Sequence, residues 1–120
     1  MPVPDFQSLM LPLLRITADE QEHTLAEVGE RLAQEFHLTD DDRAEVLQSG
    51  QTRLYNRVAW TSTYLRKSGL LRAVGPGRFE VTERGRQLLA SKPEAINVAF
   101  LESRFPELLE FRKRSGGGVA

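Results

Sequence analysis

The stretch that most constrains the fold runs from Thr52 to Gly69 and has the features of one amphipathic helix. Thr52 is a favourable N-cap residue, and Gly69 suits the left-handed conformation that commonly ends a helix. One side of the stretch has the i, i+4, i+7, i+11 spacing of a buried helical face, formed by Leu54, Val58, Thr61 and Leu65. The sequence therefore predicts a helix with one buried face and one open face.

The open face and its borders carry side chains that suit contacts with DNA. Asn can bond adenine through two hydrogen bonds, Arg can bond guanine or phosphate, and a small residue lets a helix approach a thymine methyl. An ordinary solvated helix face has a similar composition, so the helix alone leaves both interpretations open. The residues concerned are Arg53, Tyr55, Asn56, Arg57, Ala59, Ser62, Thr63 and Arg66.

A β-hairpin is predicted directly after this helix. Residues 70–74 and 78–82 have strand character, and Gly75-Pro76-Gly77 between them is a strong turn signal. Arg78 lies near the tip. A hairpin in this position is typical of the wing of a winged helix, which reaches the DNA backbone beside a helix in the major groove. The alternative is a structural hairpin whose tip contacts nothing.

The remaining segments are predicted to be helical scaffold. A first helix spans residues 5–18, but Pro12 predicts either a kink or a later start with the preceding residues as an arm. After a polar turn at residues 19–23, Thr24 and Glu27 predict a capping box at the start of a helix that ends near residue 37. A segment capped by Thr39 follows, with Val46 and Leu47 facing inward and Ser49-Gly50 as its end. Further helices are predicted from Thr82 and over 96–111.

These elements predict a mainly α fold with a small antiparallel β-hairpin, a winged helix-turn-helix with additional C-terminal helices. At 120 residues the chain has the size of one small domain, which we place at residues 1–114. Residues 115–120 are predicted to be a flexible glycine-rich tail or the start of a linker. The phenylalanines within residues 96–111 either pack back on the first helix or form the seam of a homodimer.

The charge is near balance overall but uneven along the chain. Residues 19–48 hold ten acids and two bases, a local charge of −8, whereas residues 51–92 hold nine bases and two acids, a local charge of +7. Charges are screened over about 8 Å at physiological salt, so a basic surface can bind phosphate even though the net charge is −1. The acid triplet at residues 40–42 is interpreted as a helix start rather than a metal or catalytic cluster.

Other chemistry is disfavoured by what the sequence contains. There is no cysteine, which fits a reducing compartment, and no apolar run near the roughly 20 residues that a membrane span needs. No secretory signal is visible at the N-terminus. We therefore expect a cytoplasmic protein with no membrane contact.

The run TRLYNRVAWTSTYLRKSGLL, the hairpin after it and VTERGRQLL resemble the N-terminal domain of Mrr-type restriction endonucleases. The resemblance covers roughly residues 4–93. It implies a winged-helix DNA-binding domain from a system that restricts modified, typically methylated, foreign DNA. The matching positions are Thr52, Arg53, Asn56, Arg57, Val58, Trp60, Tyr64, Leu65, Gly69, Leu70, Leu71, Thr82 and Gly85.

The resemblance implies that in full-length relatives a nuclease domain of the PD-(D/E)xK type follows. In that motif a metal-binding acid stands two residues before a lysine. No acid stands two residues before any lysine here: the residues there are Leu65, Ala90 and Phe111. An acid-x-Lys motif that could help to hold Mg²⁺ is therefore missing. We expect no catalytic residue, metal or cofactor, and either a truncated reading domain or a standalone one.

The leading hypothesis is a DNA-reading domain of an Mrr-like restriction system, with double-stranded DNA as its partner and, in the full-length protein, a C-terminal nuclease domain. The alternatives are a standalone winged-helix transcription regulator, dimerised through residues 96–111, and a winged helix that binds other proteins. Trp60 and Tyr64 are assigned to the core rather than to base stacking. The predicted DNA-binding residues are Thr52, Arg53, Tyr55, Asn56, Arg57, Thr63, Arg66, Lys67, Arg72 and Arg78.

Overall fold

The computed structural model describes residues 3–114 of the chain. Their fold is mainly α with one small antiparallel sheet, as predicted. The helices are α1 (Met10–Ile16), α2 (Leu25–Glu35), α3 (Asp40–Ala44), α4 (Arg53–Lys67), α5 (Glu83–Ala90), α6 (Val98–Arg104) and α7 (Pro106–Arg114). The strands are β1 (His23–Thr24), β2 (Leu71–Gly75) and β3 (Arg78–Val81). The predicted tail at residues 115–120 lies outside the described residues.

The sheet has three strands in the order β1-β3-β2, so the wing is broader than the predicted hairpin. Strand β1 pairs His23 with Phe79 and Thr24 with Arg78, and residues 19–23 were wrongly predicted to be only a turn. The backbone N–H of Leu25 also donates to the Gly77 carbonyl oxygen at 3.0 Å. Through these bonds the start of α2 holds the tip of the wing.

Helix α4 is formed as the sequence predicts. The Thr52 hydroxyl accepts the Tyr55 N–H at 3.1 Å, and Gly69 follows the helix with a φ of 79°. A side chain at Gly69 would also meet the Arg84 guanidinium, so the turn from helix to wing needs glycine there. The buried face of α4 includes Val58, Thr61 and Leu65, which contribute to a core shared with α1, α2 and the sheet. Residue Ser62, predicted on the open face, is buried instead.

The chain before α1 forms an arm rather than a helix. Helix α1 begins at Met10, so the predicted start at Asp5 was wrong and the later start near Pro12 is confirmed. Pro12 lies in the first turn, where a missing N–H breaks no helical hydrogen bond. Asp5 caps the turn that precedes the helix, since its carboxylate accepts the Ser8 N–H at 2.8 Å.

The segment between α3 and α4 differs from its prediction. A capping box between Thr39 and Asp42 begins α3, but the helix ends at Ala44. Residues 45–52 then form a turn closed by a bridge between Val46 and Thr52. Val46 is 58% exposed and does not face inward, because it lies in this turn and not on a buried face of a longer α3.

The C-terminal helices pack back on the domain. Phe100, Phe105 and Phe111 all lie against the main core, and the Phe111 ring meets Tyr64 of α4 edge-on at 6.0 Å between centroids. Phe111 thus packs within the molecule, although on α4 rather than on the predicted first helix. A homodimer seam at residues 96–111 stays a prediction. Tyr64 is 2% exposed and Trp60 is half-buried, which agrees with their assignment to the core.

Candidate nucleic-acid interface

A cleft of about 310 Å³ separates the open face of α4 from the wing. Helix α4 provides one wall with Ala59, Thr63 and Arg66, and the wing provides the other wall with Arg78 at its rim. Small residues keep the cleft open, since the wing contributes mainly alanine and glycine there. Its lining consists of Leu25, Ala59, Ser62, Thr63, Arg66, Ala73, Gly75, Gly77, Arg78 and Phe79. The structure thus brings Thr63, Arg66 and Arg78 together.

Arg66 and Arg78 differ in how they are held. Arg66 is exposed, and within residues 3–114 no carboxylate lies at ion-pair distance from it. Arg78 has one weak partner, Glu22, with 3.5 Å between Nη1 and Oε1. Both guanidinium groups are therefore available to an anion that enters the cleft.

The first turn of α4 carries a second group of predicted residues. Tyr55 is 44% exposed, which is high for a large aromatic side chain. Asn56 is half-buried, and its Nδ2 donates to Gln51 Oε1 at 3.2 Å, a neutral bond on the surface. Arg53 forms an ion pair with Glu45, with 3.1 Å between Nε and Oε1. Thr52 uses its hydroxyl as the helix cap and so serves mainly to position this turn.

Arg57 is placed differently from the other predicted residues. Its Nη1 donates to the backbone carbonyl oxygens of Val3 at 2.6 Å and Pro4 at 3.1 Å. One turn later, the buried Thr61 hydroxyl donates to the Phe6 carbonyl oxygen at 2.7 Å. Arg57 and Thr61 thus fasten the N-terminal arm to α4. The spacing signals this role, because residues four apart share a helical face and Thr61 lies on the buried one.

Two further predicted residues lie away from the cleft. Arg72 is paired across the hairpin with Glu80, with 2.6 Å between Nη2 and Oε1. Successive residues of a strand face opposite sides of a sheet, so Arg72 faces away from Ala73 and from the cleft. Lys67 lies with its Nζ 5.2 Å from the centroid of the Phe111 ring. Its charge is directed towards α7.

The acidic and basic stretches of the sequence meet in space. Three arginines of the basic stretch, Arg53, Arg78 and Arg86, pair with Glu45, Glu22 and Glu20 of the acidic stretch. The predicted basic surface is therefore partly neutralised by its own neighbour. These pairs allow the basic stretch and the acidic stretch to lie side by side in one domain.

A buried histidine supports the wing close to its tip, and sequence reasoning missed it. His23 in β1 is 3% exposed, with Nε2 at 2.8 Å from Asp19 Oδ1 and Nδ1 at 2.9 Å from Glu27 Oε2. Glu27 thus places its carboxylate on His23, rather than completing the predicted capping box. Burial lowers the pKa of His23, but the hydrogen bonds to Asp19 and Glu27 outweigh it, and the pKa is raised overall. The i, i+4 spacing of Asp19, His23 and Glu27 could have predicted that these three side chains interact.

Comparison with known proteins identifies the family. The Mrr N-terminal domain family matches residues 6–91, which include part of the arm, α4, the wing and α5. The chain belongs to this family. It is also similar to the type IV methyl-directed restriction enzyme EcoKMrr of Escherichia coli strain K12, with 34% identity over 97 residues. That match covers 80% of this chain and 32% of the enzyme, so the chain spans about a third of its relative's length.

No solved structure matches this Mrr N-terminal domain. In the described part of the chain, no helix is long and apolar enough to cross a bilayer. Among residues 3–114 there is also no group of three or more histidine, aspartate or glutamate side chains that could hold a metal ion. Asp42 of the acid triplet serves the capping box of α3 instead, where the Thr39 backbone N–H lowers the pKa of its carboxyl.

Proposed function

We propose that the chain is the DNA-reading domain of a restriction system, that it binds double-stranded DNA, and that it prefers modified bases. The single observation that carries this proposal is the cleft in which Arg66 of α4 and Arg78 of the wing face the same space. Membership of the Mrr N-terminal domain family supports the restriction-system context. The similarity to a methyl-directed enzyme supports the preference for modified DNA.

The geometry suits a helix in the major groove with one strand passing beside it. The major groove is about 12 Å wide and admits an α-helix. Helix α4 has 15 residues, and its outer stripe of Asn56, Ala59, Thr63 and Arg66 follows helical spacing. With this stripe towards base edges, the nearer sugar-phosphate backbone runs along the cleft. Arg66 and Arg78 then contact phosphates from opposite sides.

The apolar positions on the outer face are suited to a base methyl group. Ala59 lines the cleft with no side chain beyond Cβ, and the exposed Tyr55 ring lies one turn earlier on the same helix. A methyl group projecting into the major groove offers only apolar contact, as the thymine methyl does. Contact with Tyr55 or Ala59 would favour a methylated site through the burial of that group.

A titration with matched duplexes tests the proposal. The full chain is mixed with a methylated duplex and with its unmodified twin at two salt concentrations. We expect tighter binding to the methylated duplex and an affinity for both that falls steeply with salt. If about four phosphates are neutralised, the slope of log K against log salt is near −3.6. A flat salt dependence, or no binding at low salt, would remove DNA as the partner.

A tyrosine variant sharpens the test. Tyr55→Ser removes the ring and leaves the charge of the surface unchanged. We expect it to reduce the difference between the methylated and unmodified duplexes, with little change in the salt slope. An unchanged difference would exclude Tyr55 as the methyl contact and leave Ala59 as the remaining apolar position.

A further inference from the structure

The DNA-facing arginines of this domain are held in part by carboxylates of the same chain. We propose that Glu22 and Glu45 neutralise Arg78 and Arg53 in the free protein, in competition with DNA phosphates. They thereby lower the affinity of the domain for every duplex. This inference rests on the proposed function and adds to it the residues that limit binding.

The geometry of the two pairs is suited to replacement by a phosphate. Glu22 Oε1 lies 3.5 Å from Arg78 Nη1, and the two side chains are 54% and 56% exposed. Glu45 Oε1 lies 3.1 Å from Arg53 Nε, and those side chains are 47% and 33% exposed. Arg53 Nε itself is buried, so a phosphate would reach Arg53 through its terminal nitrogens. Carboxylate and phosphate oxygens are both charged acceptors that bind a guanidinium in similar ways. Glu22 thus fills a position that a DNA phosphate would otherwise take, and Glu45 neutralises Arg53 beside the place where a phosphate would bind.

The two pairs lie at different parts of the proposed interface. Arg53 begins the helix, and Arg78 projects from the wing across the cleft. Arg66 lines the same cleft as Arg78, and in the described chain it has no carboxylate partner. The proposed interface therefore has one arginine without a carboxylate partner, Arg66, and two that are paired with glutamates, Arg53 and Arg78.

The energetics of exposed ion pairs explain why this arrangement limits binding without preventing it. Exposed pairs are weak, so a phosphate can displace the glutamate. The displaced carboxylate nevertheless stays on the same surface, within the screening distance of about 8 Å, and repels the backbone. The penalty does not depend on base sequence. Only a duplex that offers additional base contacts then binds tightly, which suits a domain that must ignore most of the DNA it meets.

Neutral glutamine variants test the inference in the full chain. Glu22→Gln and Glu45→Gln are titrated with an unmodified duplex at two salt concentrations. Each is expected to bind about three- to tenfold more tightly than the wild type. The magnitude of the salt slope should rise by up to about 0.9 for each arginine that gains a full phosphate contact. Thermal unfolding of each variant, expected to match the wild type, establishes that the fold is kept.

Glu107→Gln is the matched control. It makes the same change in net charge and removes the carboxylate partner of an arginine of similar exposure, Arg84, in an ion pair of 2.8 Å. Arg84 keeps its hydrogen bond to the Ser68 carbonyl oxygen. That pair joins α5 to α7 and does not line the cleft. A change of less than about twofold is expected, since a remote charge is screened.

The outcomes separate the inference from the proposed function. If the wild type binds a duplex and both variants bind no more tightly than Glu107→Gln, the inference is overturned and the proposed function stands. If the wild type binds no duplex even at low salt, the proposed function fails, and the inference fails with it. Tighter binding of Glu22→Gln and Glu45→Gln than of the control supports both.

Discussion

The two long sides of α4 use the same residue type for opposite purposes. On one side Arg57 donates to the carbonyl oxygens of the N-terminal arm and is part of the fold. On the other side Arg66 is exposed on the cleft. Nine residues separate them, which is two and a half turns, so they project in opposite directions. Whether an arginine on such a helix is structural or available to DNA therefore depends on which side of the helix is buried.

The largest expected effect is the loss of stability caused by Arg57→Ala. The variant leaves the Val3 and Pro4 carbonyls without their charged donor in a partly buried site. Hydrogen bonds to charged groups contribute about 1.5–3 kcal/mol, so we expect the free energy of unfolding to fall by about 2 kcal/mol. Urea titration followed by circular dichroism measures this change.

Arg57→Lys is the matched variant, because it keeps the charge but replaces the planar guanidinium with a single ammonium. It should recover only part of the lost stability. If Arg57→Ala instead has the free energy of unfolding of the wild type but a lower affinity for DNA, Arg57 belongs to the interface. The two sides of α4 would then not differ in role.

A smaller loss of stability is expected from Thr61→Val, which keeps the shape of the side chain. The Thr61 hydroxyl is fully buried, and it donates to the Phe6 carbonyl oxygen at 2.7 Å. Removing it leaves that oxygen without this donor, at a cost of about 1–2 kcal/mol. Thermal unfolding detects the loss. Thr63→Val on the outer side is the control, and a comparable loss there would show that the two sides do not differ in stability.

The helices and the wing were largely predictable from the sequence, and the reason is local. Caps such as Thr52 and Thr82, and the glycine after α4, fix helix ends through contacts within a few residues. The role of Arg57 was less accessible, because its partners are more than 50 residues earlier in the chain. Strand β1 was missed for the same reason. Its two residues form a strand only by pairing with β3.

The candidate site was predictable in composition but not in detail. The sequence indicated which half of the chain is basic, and it placed Arg66 and Arg78 near the same surface. It could not indicate that Glu22 and Glu45 would partner two of the arginines, since those contacts depend on tertiary folding. It also could not show that Arg72 faces away from the cleft, because the register of the hairpin decides that.

The outer side of α4 is tested by Arg66→Ala. No hydrogen bond or carboxylate partner in the described chain is lost, so the free energy of unfolding should change by less than about 0.5 kcal/mol. Affinity for any duplex should fall by about five- to tenfold, and the salt slope should become shallower by about 0.9. Unchanged affinity would remove the cleft from the interface, whereas a large loss of stability would show that Arg66 is structural after all.

The smallest expected effect is a pH dependence of stability that arises from His23, which supports the wing. Both ring nitrogens face carboxylate oxygens, and only the protonated ring can donate to Asp19 and Glu27 together. Its pKa is raised in the folded protein, so its contribution to stability is complete below its ordinary value near 6.5 and is lost as the pH rises through the folded value. The pKa of Asp19 is lowered by its bond to His23, so that carboxylate loses its contribution only at acidic pH.

Unfolding temperature should therefore decline from mildly acidic to alkaline pH, and His23→Gln should reduce that decline. An equal decline in the variant would assign the pH dependence to other groups and leave the wing independent of His23.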